Sequence, residues 1–171
     1  MISALFLAGA AHADHHMTPD AVKVPDGNVV MLKTFAMGQI TYECAEKKDA
    51  AGQFAWTFKI PFAYLYDSSN TQMGRYYGSP KGATWEANDG SKVIGKQLAV
   101  TPNTATPGSI PLQLVQQNGY EGNGAMNKVT YIQRLATVGG VAPAGKVCDA
   151  ASAGKKELVS YQADYILWTA K

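Results

Sequence analysis

Two groups of residues in this sequence could do chemistry. The first is Asp14-His15-His16-Met17, which follows Ala11-His12-Ala13. Cleavage after Ala13 would leave an amine on Asp14, two backbone amides and the His16 imidazole. Those four nitrogens can lie in one plane, a set that suits Cu(II) or Ni(II). His15 and Met17 add softer donors for Cu(I). Amide protons must leave for the metal to bind, so affinity would fall with pH. The plain alternative is a polar linker that happens to contain histidine.

The second group is Trp85-Glu86 with Asp89, joined by Arg134 and Tyr42. An indole beside a carboxylate can wall a small-ligand pocket. Glu86 and Asp89 are also the pair that a carboxylate-dependent hydrolase or lyase would use, with Arg134 orienting its substrate. The competing reading puts Trp85 in the core and Asp89-Gly90 in a hairpin turn. Arg134 alternates with Ile132; if that face is buried, the guanidinium calls for an acidic partner such as Glu43, Glu86 or Asp164. Tyr42, Tyr76, Tyr77, Tyr131, Tyr161 and Tyr165 could line an aromatic cavity, or fill a core as cross-strand pairs.

Several chemistries are excluded. The sequence holds no Gly-x-Ser-x-Gly elbow, no His-Glu-x-x-His and no phosphate loop. Its 3 histidines are His12, His15 and His16. A Ser-His or Cys-His catalytic pair inside the folded part is therefore ruled out. With 15 basic and 13 acidic residues the net charge is +2, and no Lys/Arg run gives an electrostatic footprint for nucleic acid.

The elements that must position these residues begin after a leader. Ile2 to Ala11 is apolar and ends in a small-x-small site, which predicts a signal peptide over residues 1–13. It lacks a basic n-region and is far too short to span a bilayer. Residues 14–21 read as a flexible lead-in, and residues 22–171 suit one domain. Export to a periplasmic or secreted location makes a disulfide the reading for the 2 cysteines, Cys44 and Cys148. A metal or catalytic thiol would want a Cys-x-x-Cys partner or an adjacent His, and neither is present.

Period-2 alternation dominates the rest. Ile40, Tyr42 and Cys44 share one face. Phe54, Trp56, Phe58 and Ile60 do likewise, as do Val159, Tyr161, Ala163, Tyr165 and Leu167. Val129, Tyr131, Gln133 and Leu135 oppose Thr130, Ile132 and Arg134. Turn clusters at Pro25-Asp26-Gly27-Asn28, Asp67-Ser68-Ser69-Asn70 and Asn88-Asp89-Gly90-Ser91 punctuate the strands. No helical period runs beyond a turn or two. The pattern predicts an all-β, single-domain antiparallel β-sandwich or β-barrel with long loops and one disulfide. Barrel closure needs the last strand to pair with the first, which local alternation does not decide.

Gly38-Gln39-Ile40-Thr41-Tyr42-Glu43-Cys44, Thr84-Trp85-Glu86-Ala87-Asn88-Asp89-Gly90-Ser91-Lys92-Val93 and Val129-Thr130-Tyr131-Ile132-Gln133-Arg134 form ordered blocks. Trp56, Thr137-Val138-Gly139-Gly140, Cys148 and Tyr161-Gln162-Ala163-Asp164-Tyr165 complete them. With these blocks the chain resembles the exported family catalogued as domain of unknown function 3455. The resemblance implies an exported domain with paired cysteines. Tyr76 stands where the family pattern often has a His, and the loop Gly78 to Ala83 is longer than its compact form.

These readings converge on an exported, non-enzymatic domain that takes a small ligand or a metal ion, with copper at its N-terminus as the specific case. A structural or envelope-stress role without a small ligand is the remaining alternative. Protein whose intact mass confirms a terminus at Asp14 is expected to bind one Cu(II) tightly. His16→Ala should abolish that binding in the same titration; a His16→Ala protein that binds as before would remove the copper reading.

Overall fold

A computed structural model describes residues 18–171. The expected signal peptide over residues 1–13 and the expected copper ligands Asp14, His15 and His16 lie outside the described residues. Eight antiparallel strands follow one another in sequence: β1 (Asn28–Lys47), β2 (Ala50–Tyr66), β3 (Gln72–Ser79), β4 (Gly82–Ala87), β5 (Lys92–Thr101), β6 (Leu112–Glu121), β7 (Tyr131–Gly139) and β8 (Lys156–Ala170). Each pairs with the next, and β8 returns to β1, so the sheet closes into an up-and-down barrel. The closing seam runs from Asn28 opposite Ala170 to Glu43 opposite Lys156. Among the described residues no helix is long and apolar enough to cross a membrane.

Alternation places the core inside. On β8, Tyr161, Ala163, Tyr165 and Leu167 are buried, as their spacing predicts. Opposite them, β1 turns Ala36, Ile40 and Tyr42 inward. The middle of the barrel is filled by rings: Tyr76 lies 4.7 Å from Trp85 and 5.0 Å from Tyr165 between centroids. Each such ring buries about 150–250 Å2. At about 25 cal/mol per Å2 that is roughly 4–6 kcal/mol per ring before entropy. Gly95 makes room for them, since a Cβ there would sit 2.8 Å from the Trp85 ring and 2.4 Å from Val115.

One expected face does not hold. Thr41 opposes Ile60 while Tyr42 opposes Phe58, so Lys59 is an extra residue in β2. This bulge reverses the phase. Phe54, Trp56 and Phe58 stay on the inner side, and Ile60 turns outward with 46% of its surface exposed. The β1–β2 connection is short, because pairing continues until Lys47 meets Ala50.

Both ends are dressed by the connections. At the end holding the β2–β3, β4–β5 and β6–β7 links, a 3-10 turn at Ala125–Lys128 inserts Met126 and the following Val129 into the core. At the other end the long β7–β8 connection is fastened to β1 by the Cys44–Cys148 disulfide, across a sequence separation of 104. Tyr42 Oη donates to Gly140 O at 2.8 Å and Trp56 Nε1 donates to Lys146 O at 3.0 Å, holding the same connection. On the outside, Val22 and Val24 of the N-terminal segment cover Leu112, Leu114 and Leu135.

A crosslink spanning so long a loop removes much unfolded-chain entropy. Urea unfolding of Cys44→Ser/Cys148→Ser is expected to show a loss of about 2–4 kcal/mol. Unchanged stability would mean that the β7–β8 connection contributes little to the fold.

Candidate functional site

Trp85 and Glu86 are neighbours on β4 and so face opposite ways. Trp85 is fully buried in the aromatic layer. Glu86 points outward, opposite Arg75 on β3. Arg75 Nη2 donates to Glu86 Oε1 at 2.9 Å and Nε to Oε2 at 3.1 Å; Tyr77 Oη donates to Oε2 at 2.7 Å. The Arg75 hydrogen bonds hold the Glu86 carboxyl below its ordinary value despite burial. The same carboxylate, after burial itself, helps push the Tyr77 phenol up to about 12.

Asp89 is equally committed. Its Oδ1 accepts from Ser91 N at 2.9 Å and Ser91 Oγ at 2.6 Å, and its Oδ2 accepts from Ala125 N at 2.9 Å. These bonds, led by Ser91, lower its carboxyl. Asp89 therefore ties the β4–β5 turn to the Met126 plug. A general acid needs a carboxyl raised toward neutrality, and neither Glu86 nor Asp89 is raised.

Arg134 goes the other way. It pairs with Tyr165 across β7–β8 and with Gln113 across β6–β7. Ile132, two residues before it, is fully buried on the same inner face. The expected acidic partner is absent among the described residues. Glu43 pairs with Lys59 at 3.2 Å and Glu86 with Arg75. Asp164 sits one position before Tyr165 and so points outward. Arg134 instead donates to a neutral acceptor, Pro111 O, from Nε at 3.1 Å and Nη2 at 2.9 Å.

Four inward tyrosines feel the charge of this cation. Burial pushes the phenols of Tyr42, Tyr76, Tyr161 and Tyr165 up, while the Arg134 charge draws each of them down. Tyr161 and Tyr165 hydroxyls lie 3.4 Å apart. Trp85 Nε1, whose ring packs on Tyr165 with centroids 5.7 Å apart, is buried without an acceptor among the described residues. Beyond Arg134, Gln113 Nε2 donates to Gln97 Oε1 at 2.6 Å. Phe58 shares the inner face with Tyr42, 6.2 Å away edge to face, yet 56% of it is exposed. The barrel is thus open to solvent on the β2 side at the disulfide end.

Of the four residues expected to bind a ligand, Tyr42, Trp85 and Arg134 face the interior together, and Glu86 does not. Tyr161 and Tyr165 were among the six tyrosines that could line a cavity or fill a core; their alternation with Ala163 was visible in the sequence, but the cation opposite them on β7 was not. A groove of about 670 Å3 lies elsewhere, on the outer wall among Met37, Phe62, Tyr64 and Val138. Its lining residues include no charged group. Among the described residues, no group of three or more His, Cys, Asp or Glu could hold a metal ion.

The Glu86 geometry gives a pH test. Its folded pKa is depressed from 4.5, so its contribution is present above that value and lost as pH falls through the folded pKa. Glu86→Gln is expected to lose about 1 kcal/mol at neutral pH, discounted because Arg75 is half exposed. The difference from the native protein should vanish in acid; a constant difference across pH would contradict the ion pair.

No curated protein and no solved structure matches the chain. Residues 25–73 and 68–169 match the family described as Protein of unknown function (DUF3455), from the turn before β1 almost to the end of β8. With the barrel, both cysteines, Trp85 and Arg134 inside the matched segments, the chain belongs to the Protein of unknown function (DUF3455) family.

Proposed function

We propose that this protein is an exported, non-enzymatic binding domain whose ligand is a small carboxylate with an apolar body, held at the open end of the barrel by Arg134. The observation that carries the reading is the inward guanidinium with no carboxylate partner among the described residues. Two of its donor groups meet a single carbonyl oxygen, which leaves donors over from the five N–H bonds of an arginine. A carboxylate is the acceptor whose two oxygens match that fork. Phe58 and Tyr42 supply a ring surface for the rest of the molecule. Eight-stranded barrels have room for one small ligand when side chains leave the mouth open. Here the rings of Tyr76, Trp85 and Tyr165 fill the middle, so the ligand sits above them.

Export is supported by the disulfide, since such bonds persist in oxidising compartments, and by the Ala11-His12-Ala13 site. A mature terminus at Asp14 would add copper binding through Asp14, His15 and His16. Hydrolysis by Glu86 and Asp89 draws no support: both carboxylates are depressed and engaged, and Glu86 faces away from Arg134.

Phenylacetate and 2-phenylethanol share a body and differ in the carboxylate. In NMR titrations of the mature protein, phenylacetate is expected to shift amides around Tyr42, Gln113, Arg134 and Tyr165, and the alcohol to do so far less. Arg134→Gln should weaken phenylacetate about tenfold, one charge-assisted contact, and Arg134→Lys should keep part of the affinity. Equal binding of both probes, or unchanged affinity in Arg134→Gln, would sink the proposal.

A further inference from the structure

The outer wall carries a second cavity that the Arg134 reading leaves unused. Its volume is about 500 Å3, within the range of small-molecule sites. Thr18 and Pro19 wall one side and the loop of residues 102–106 another; Leu112, Leu135 and Val138 supply apolar surface. A single charged residue, Asp164 on β8, is part of the lining. It opposes Phe35 on one side and Leu135 on the other, facing outward. Among the described residues no ion pair engages it. Burial raises its carboxyl above the ordinary value, opposed by the field of Lys33 on β1.

The walls are fixed before any ligand arrives. Asn103 Nδ2 donates to Thr137 O at 2.9 Å, while its Oδ1 accepts from Ala105 N at 3.1 Å and Thr106 N at 3.2 Å. The loop is thereby braced on β7. Beneath it, the β7–β8 register shifts between Leu135 and Val138, and Ala136 adopts a φ of 47°. A non-glycine residue in that region is strained and persists only where surrounding structure holds it. Bulges of this kind re-aim side chains beside binding sites.

A lone carboxylate in a cavity whose walls are mainly apolar, with neutral hydroxyls and an amide as the other polar groups, recognises a cation. Hard metal ions need several oxygen ligands, which one acid does not provide, and apolar walls favour an organic body. We propose that this cavity binds a small organic ammonium ion, its nitrogen against Asp164 and its hydrocarbon part on Leu112, Leu135 and Val138. The site is independent of Arg134: it lies on the outer wall and takes the opposite charge.

Phenethylamine is the probe, with 2-phenylethanol as its uncharged counterpart, in NMR titrations of the mature protein. Phenethylamine is expected to shift amides of residues 102–106, Leu135 and Asp164, and the alcohol to bind more weakly. Asp164→Asn should weaken the amine about tenfold without lowering the melting temperature, because the half-buried charge it removes has no ion-pair partner among the described residues. Lys33→Gln removes the competing cation and should tighten the amine by about twofold or more. Arg134→Gln should leave amine binding unchanged, which separates this site from the barrel interior. Equal affinity for amine and alcohol, full binding by Asp164→Asn, or shifts confined to other surfaces would overturn the proposal.

Discussion

The pairing of β8 with β1 is the constraint on which the rest depends. An open eight-stranded sheet would present two rows of unpaired backbone groups and one large apolar face. Closing it satisfies the backbone and turns that face into an interior. The seam also fixes what lies beside what: Thr34 Oγ1 donates to Tyr165 O at 2.9 Å across it, and Ala36 lies opposite Ala163. Those small residues leave the space in which the ring of Tyr165 meets Tyr76 and Trp85.

Filling and opening then divide the barrel along its axis. One end is stoppered by Met126 and Val129, held through Asp89 and Ser91. The middle is aromatic and dense. The other end keeps polar groups on the inner face, Arg134, Gln113 and Gln97, under a connection anchored by the disulfide. This gradient explains why a charge can be kept inside: Arg134 lies at the edge of the dense layer, where solvent still reaches it, and not within the layer, where an unpaired ion would cost several kcal/mol.

Charge is sorted by the pleat as well. Glu86, Arg75, Glu121, Lys81 and Lys92 make ion pairs on the outer surface, whereas Arg134 faces in. Neighbours in sequence are thereby separated by the wall of the barrel. Trp85 and Glu86 read as one motif along the chain, yet one belongs to the core and the other to the exterior. Asp164 and Tyr165 show the same split, and it places an acid in the outer cavity and a phenol beside Arg134.

Much of this was legible in the amino-acid sequence. Strand period, the inner face of β8, the Asp89-Gly90 turn, the pairing of two cysteines and the family resemblance all follow from local pattern or from counting. Period 2 is a property of each strand alone, so it survives without knowledge of neighbours. Closure, the bulge at Lys59 that turned Ile60 outward, the want of a carboxylate beside Arg134 among the described residues and the cavity around Asp164 were decided only by the tertiary structure. Each depends on which strand lies next to which and in what register. The outer cavity joins Thr18, Asn103, Leu135 and Asp164, residues that no local period connects. Register across a closed barrel is a long-range quantity, set by the whole sheet at once.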